Sequence, residues 1–207
     1  MIRTFDDFDL PNKYQFSESL DKVGDHKELN ILTPILIQMP KTHCIEDIDF
    51  TDKSLSSSHF KVRGSKSEQF KQYMDKLDEW VVEYICKNSE QLFNKNITKE
   101  NLNSKYIGSV SDNDNIKLYL PRTSRGVKLN ILDVDKEPIN IMSFKNGDIM
   151  RSIIRCRKVI IYKREIFPQW EMVMVNLKEK KVEEPKQCMI EIDSDEDDDE
   201  TEIYGDF

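Results

Sequence analysis

The chain has 207 residues, 38% hydrophobic and 34% charged, with a formal net charge of −8, which suits one real core with polar extensions. The charge is unevenly placed: Glu191 to Phe207 hold ten carboxylates and no cation, whereas residues 1–190 hold 31 basic against 29 acidic side chains, a net of +2. A slightly basic body with a separate polyanion points to a nucleic-acid or basic-protein setting and away from a small-molecule enzyme.

In chain order, residues 1–28 read as a loosely packed N-terminal lead-in with scattered aromatics (Phe5, Phe8, Tyr14, Phe16). Met1 to Leu10 are too charged for a signal peptide, and no apolar run approaches the ~18 residues of a membrane span. A soluble intracellular protein with no membrane contact is the expectation. Ile31 to Met39 form a first apolar strand region interrupted and ended by Pro34 and Pro40, residues that cannot sit centrally in a ladder. Around His59-Phe60-Lys61-Val62-Arg63, alternation turns Phe60 and Val62 inward and Lys61 and Arg63 outward. Ser65 and Glu68 have capping-box spacing, and Phe70, Tyr73, Met74, Leu77, Trp80, Val81, Tyr84 and Ile85 recur at three and four, which predicts a helix over 67–87. Shorter helical pieces are expected at Ser89–Phe93 and Thr98–Asn103.

The remainder reads as β. Ile116 to Leu120 alternate, Val127 to Ile131 mirror them after a connector, and Asn146-Gly147 is a turn signal. Strands are expected over Ile153–Tyr162 and Trp170–Leu177, separated by Pro168. The fold class is therefore mainly β with one long helix: an OB-like, partly open barrel over 29–182, with a disordered acidic tail over 183–207.

No Gly-x-Gly-x-x-Gly, P-loop or Gly-x-Ser-x-Gly motif occurs. Asp133 and Asp135 could in principle hold Mg²⁺, but Asp-x-Asp at a strand end is common in plain turns. Four scattered cysteines and three histidines give no zinc spacing, His43-Cys44 being the sole adjacent pair. No enzyme activity, metal or cofactor is expected.

The positive signal is cations interleaved with aromatics. Ile149 to Arg164 hold Arg151, Arg155, Arg157, Lys158, Lys163 and Arg164 and no acid, with Tyr162 and Trp170 close by. Lys61, Arg63, Lys117, Tyr119 and Lys128, with Arg122 and Arg125 in the connector, form a second basic-aromatic group. Cations for the backbone and π-faces for bases are what a single-strand binder needs. Equally, such cations serve as gatekeepers on a solvated edge strand, and Trp170 suits core as well as platform. The tail residues Asp195, Glu196, Asp197, Asp198, Asp199 and Glu200, followed by Tyr204, Asp206 and Phe207, resemble a strand of phosphates that would occupy the basic groove until DNA displaces it. Met189 to Glu196 also resemble a SUMO-interacting motif, and Ser194 among acids resembles an acidophilic-kinase site.

Several features together carry a resemblance: Leu32-Thr33-Pro34, the long helix, Gly147-Asp148-Ile149 before the arginine strand, Phe167-Pro168-Gln169-Trp170-Glu171-Met172-Val173, and the acidic tail closing on Phe207. Over about residues 30–207 the chain resembles the single-stranded-DNA-binding proteins of nucleocytoplasmic large DNA viruses, which are similar to a short-tailed-phage replication protein with an OB barrel. It departs from them at Lys158-Val159, where a glycine is usual. The resemblance implies binding of single-stranded DNA in viral replication, recombination or repair, in the host cytoplasm or nucleus. It further implies a tail that contacts a DNA polymerase or helicase. A homodimer, with a second copy of the chain as partner, is a further expectation. The competing expectation is an acidic-tailed interaction module or chaperone for basic proteins.

Overall fold

The computed structural model describes residues 14–46, 57–123, 126–127, 129–140 and 146–179. Its elements in chain order are β1 (Asp21–Val23), β2 (His26–Gln38), β3 (Thr42–Cys44), β4 (Ser57–Val62), α1 (Ser67–Lys87), α2 (Ser89–Phe93), α3 (Lys99–Asn103), β5 (Asn115–Tyr119), β6 (Arg122–Thr123), β7 (Gly126–Val127), β8 (Asn130–Leu132), β9 (Ile149–Tyr162) and β10 (Glu165–Glu179). The strands line up as β1-β2-β9-β3-β4-β5-β10-β8, and a further β9–β10 pairing closes β9, β3, β4, β5 and β10 into a five-stranded OB-like barrel. The thinnest joint is the parallel one between β5 and β10, where Glu171 opposite Tyr119 is the register pair.

The barrel closes because its strands alternate. Ser58, Phe60 and Val62 of β4, Ile116 and Leu118 of β5, and Met150, Ser152, Ile154 and Cys156 of β9 all point inward and are buried. On β10 the buried set passes from Trp170 and Met172 to Val175 and Leu177; a register shift between Met172 and Met174 changes the parity. The helix α1 covers the sheet with Phe70, Tyr73, Met74, Leu77, Val81, Val82 and Ile85, one stripe of its 3.6-residue period.

Four expectations are corrected. The capping box does not form: the N-cap is Lys66 with no side-chain cap, and Ser67 Oγ bonds back to the Gly64 carbonyl. There Gly64 at φ +99° sets the turn, a conformation open to glycine. The lead-in is not loosely packed at two of its aromatics, since Tyr14 and Phe16 are buried, whereas Asp21–Val23 are exposed. Phe16 lies 4.6 Å from the Trp80 ring and 4.3 Å from Tyr84, sealing α1 against β2. The run 127–131 is not one strand: Val127 ends the small β6–β7 hairpin, while Asn130–Leu132 pair with β10. Pro168 does not separate β9 from β10, because the turn falls at Lys163-Arg164. Pro168 sits inside β10 opposite Val159, at an irregularity that absorbs its missing N–H. The short helices, β5, the long helix and the Asn146-Gly147 turn lie where the sequence places them. The tail from residue 180 onward, with its SUMO-like and kinase-like patterns, lies outside the described residues.

Candidate nucleic-acid interface

The basic stretch of 149–164 becomes one strand and its turn, but its cations do not form one ridge. Arg155 stands opposite Glu171 on β10, and its Nη2 and Nε donate to Glu171 Oε2 at 2.8 and 3.2 Å. Lys158 Nζ donates to Glu28 Oε1, which also meets His26 Nε2 at 3.0 Å. Burial opposes ionisation of Glu28, yet Lys158 and His26 together hold its carboxyl below the usual range. Neighbouring strands supply the acids that the stretch itself lacks, so the middle of β9 is largely neutralised. Arg157 is exposed opposite the four residues Ile31–Pro34, which leave the β2–β9 ladder between Asn30 and Ile35.

The two ends of β9 differ from its middle. At the first, Arg151 lines a cavity of about 230 Å³ together with Lys41, Arg63 and Lys66, and no carboxylate of the described residues lines it. At the second, Lys163 and Arg164 line a cleft of about 550 Å³ together with Lys22, Lys27, Lys95 and Lys105. Among the described residues Asp25 is the only carboxylate on that lining, and Phe93, Ile97, Leu102, Ile161 and Ile166 give it an apolar floor. Lys163 Nζ sits 4.9 Å from the centre of the Tyr162 ring, within cation–π range.

Between the ends lies the outer face of the barrel. Cross-strand registers place Leu36, Arg155, Glu171, Tyr119 and Ser57 in one row over β2, β9, β10, β5 and β4. Lys117 Nζ lies 5.6 Å from the centre of the half-buried Tyr119 ring, and partial burial pushes the Tyr119 hydroxyl up. Beside them Phe167 and Pro168 line a small hollow of about 140 Å³. Lys61 is half-buried on β4, and Arg122 is half-buried on β6. Arg125 and Lys128 lie outside the described residues.

Trp170 belongs to the core and is removed from the set of stacking candidates. It is 1% exposed, and its Nε1 donates to Ser109 Oγ at 2.9 Å. Ser109 in turn donates through Oγ and N, each at 2.7 Å, to the carboxylate of Asp78 on α1. Tyr106 Oη donates to the same carboxylate at 2.8 Å. Burial pushes the Asp78 carboxyl up to about 6, against the pull of its Ser109 and Tyr106 donors. The network ties α1 to β10 directly beneath the Tyr119 hollow. Asp133 has an internal role too: its Oδ1 accepts from the backbone N–H groups of Asp135 and Glu137 at 2.9 Å each, an Asx-type turn. Among the described residues no group of three or more His, Cys, Asp or Glu side chains could hold a metal ion.

Sequence reasoning missed Lys41 and Lys66 at one end and Lys22, Lys27, Lys95 and Lys105 at the other. Each lies far along the chain from the arginine strand, so no local pattern joins them.

No family model and no curated protein matches the chain. Among the solved structures it is similar to are three of a phage protein. The C-terminally truncated single-stranded DNA-binding protein from bacteriophage Enc34 has a TM-score of 0.43 at 13% identity, over 84% of this chain and 99% of that one. The same phage protein in complex with single-stranded DNA gives 0.40 at 14% identity, over 82% and 97%. A third structure of it gives 0.39 at 11%, over 85% and 95%. At these values the likeness settles no function.

Proposed function

We propose that this chain binds single-stranded DNA, without strong sequence preference, across the outer face of its barrel. The observation that carries this reading is that cations gather with almost no acid at both ends of β9, with Lys117 and Tyr119 between them. Arg151 and Lys163 are twelve positions apart on one strand and its turn, roughly 40 Å at ~3.3 Å per residue. A small anion would need one such cluster; a polyanion engages both. Sequence tolerance follows from the chemistry, because cations meet phosphates and a Tyr119 ring meets the π-face that every base carries. The second and third barrel strands and the turn between the fourth and fifth are also where OB barrels take oligonucleotides, which here means β4, β5 and Lys163-Arg164.

The role in viral replication, recombination or repair belongs to this proposal and is supported by the sequence resemblance. So does the tail, whose ten carboxylates after residue 190 complement the same clusters. In this reading the tail competes with DNA at low salt, and once displaced it recruits a polymerase or helicase.

The test is fluorescence anisotropy of labelled oligo-dT and of a duplex against the full chain, with Arg151→Glu and Arg164→Glu variants. Single strand should bind more tightly than duplex, and log affinity should fall with log salt by about 0.7 per phosphate neutralised. Each charge reversal should weaken binding, and deleting 191–207 should tighten it. No binding to oligo-dT at low salt overturns the proposal. The acidic segment would then be the element to pursue, as an interaction module or chaperone for basic proteins.

A further inference from the structure

The small hollow beside Tyr119 combines ring surface with a carboxylate that nothing in the described structure neutralises. Three segments line it: Ile107 to Ser109, Lys117 and Tyr119 of β5, and the first half of β10. Its floor is braced. Ile107 N donates to the Ile166 carbonyl at 2.8 Å, and Ser109 is held between the Asp78 carboxylate and the Trp170 indole. The rings of Tyr119 and Phe167 are half-buried, and Ile107 beside them is 47% exposed. Apolar and π surface is thus left in water at a place wide enough, at about 140 Å³, for one flat ring to cover it. Lys117 stands over the Tyr119 ring at 5.6 Å, where a cation can meet the phosphate of the same nucleotide.

Among the described residues Glu165 is the only carboxylate on this lining. It is exposed, and its side chain makes no ion pair or hydrogen bond with any described residue. Other carboxylates of the barrel are answered: Glu171 by Arg155, Glu28 by Lys158, and Glu46 by His59 and Ser58. A free carboxylate repels phosphates, so on a strand-binding face it needs a donor to accept from. Bases differ in that respect. Cytosine and adenine carry exocyclic amino groups, and a glutamate accepts from the cytosine amino group. Thymine turns a carbonyl oxygen to the same position, which a carboxylate repels. We propose that this hollow seats one nucleobase of the bound strand and that Glu165 accepts from its amino group, so that the protein prefers amino-bearing bases to thymine. The inference rests on the single-strand reading above and names the base chemistry that one position on that surface selects. One such position leaves the rest of the strand sequence-tolerant.

The experiment uses the full chain and three strands of about twelve nucleotides, within the ~4–16 that an OB fold covers. Oligo-dC, oligo-dT and oligo-dU each compete with a labelled strand in an anisotropy assay near neutral pH. Oligo-dC should bind about fivefold more tightly than oligo-dT, the equivalent of about 1 kcal/mol for one net hydrogen bond. Oligo-dU, which lacks both the amino group and the thymine methyl, should behave as oligo-dT does. Glu165→Gln and Glu165→Ala each remove a negative charge and should tighten binding of every strand, so the readout is the dC-to-dT ratio, which should fall toward one. Glu90→Gln, the same charge change on the exposed side of α2, should leave the ratio intact. Equal binding of dC and dT, or tighter binding of dT, overturns the base-selection proposal and leaves the single-strand reading standing. A ratio that survives both Glu165 variants overturns it as well, since the preference would then reside elsewhere. If no strand binds at low salt, both readings fall together.

Discussion

Whether Trp170 serves the core or the bases is decided by replacing it with phenylalanine. The indole is 1% exposed and donates to Ser109 Oγ at 2.9 Å. Trp170→Phe removes that hydrogen bond, worth a net ~1 kcal/mol. Ser109 keeps its bonds to Asp78, so no buried hydroxyl is stranded. The smaller ring also lacks three heavy atoms of a fully buried side chain, about 2 kcal/mol at ~0.8 kcal/mol per buried carbon group. The expected loss is about 3 kcal/mol, at the lower edge of the 3–5 kcal/mol typical of a Trp→Ala change. For a domain of this size that lowers the melting temperature by roughly 6–12 °C. Urea and thermal melts measure it, with oligo-dT anisotropy on the same sample at a temperature where the variant is folded. DNA affinity should stay within about twofold of the parent, since stacking worth ~1–3 kcal/mol per base is not lost from a ring that bases never reach. An unchanged melt together with tenfold weaker DNA binding would refute the burial argument and return Trp170 to the binding face.

Three further outcomes follow from the same geometry. Tyr119→Ala should weaken oligo-dT binding by ~1–3 kcal/mol with little effect on the melt, while Tyr119→Phe should bind nearly as the parent does. A phenylalanine variant as weak as the alanine one would mean that the ring is not the contact. Glu171→Gln releases Arg155 from its 2.8 Å ion pair and should tighten single-strand binding a few-fold, steepening the salt slope by about 0.7 if one more phosphate is engaged. An unchanged slope would show that Arg155 does not face the DNA. Asp78 makes stability depend on pH in a set direction. Its folded carboxyl is pushed up to about 6 from 3.8, so between those values the unfolded chain gives up its proton first and stability falls as pH rises. The loss is on the order of 3 kcal/mol and complete above about pH 6. The destabilisation caused by Asp78→Asn should therefore be larger at pH 4 than at pH 7, measured by urea unfolding; equal penalties at both pH values would contradict the shift.

The elements were legible where periodicity is strong. The helix over 67–87 could be read from apolar spacing alone, because a one-sided helix in a chain with a single core has one stripe to bury. The strands over Ile116–Leu120 and Ile153–Tyr162 were legible from alternation and β-branched content. The errors fell at boundaries governed by single backbone conformations. Gly64 and Lys163 take positive φ and move a helix start and a hairpin turn to places that side-chain patterns do not mark. Pro168 read as a stop because a proline cannot donate to a ladder, yet an irregular stretch of β10 needs no donor there.

The candidate site divides in the same way. The amino-acid sequence by itself determined that the body is slightly basic, that the carboxylates cluster in the tail, and that cations crowd the stretch from Arg151 to Arg164. These are sums and neighbours along a chain, and no folding can alter them. Only the tertiary structure decided which of those cations keep their field. Glu171 lies 16 positions from Arg155 and Glu28 lies 130 from Lys158, and strand pairing brings each within hydrogen-bond reach. The same pairing gathers Lys41, Arg63, Lys66 and Arg151 around one cavity and turns Trp170 inward while Tyr119 stays at the surface. Coulomb attraction and apolar burial act over a few ångströms of space, and distance along the chain is a poor guide to distance in a closed barrel.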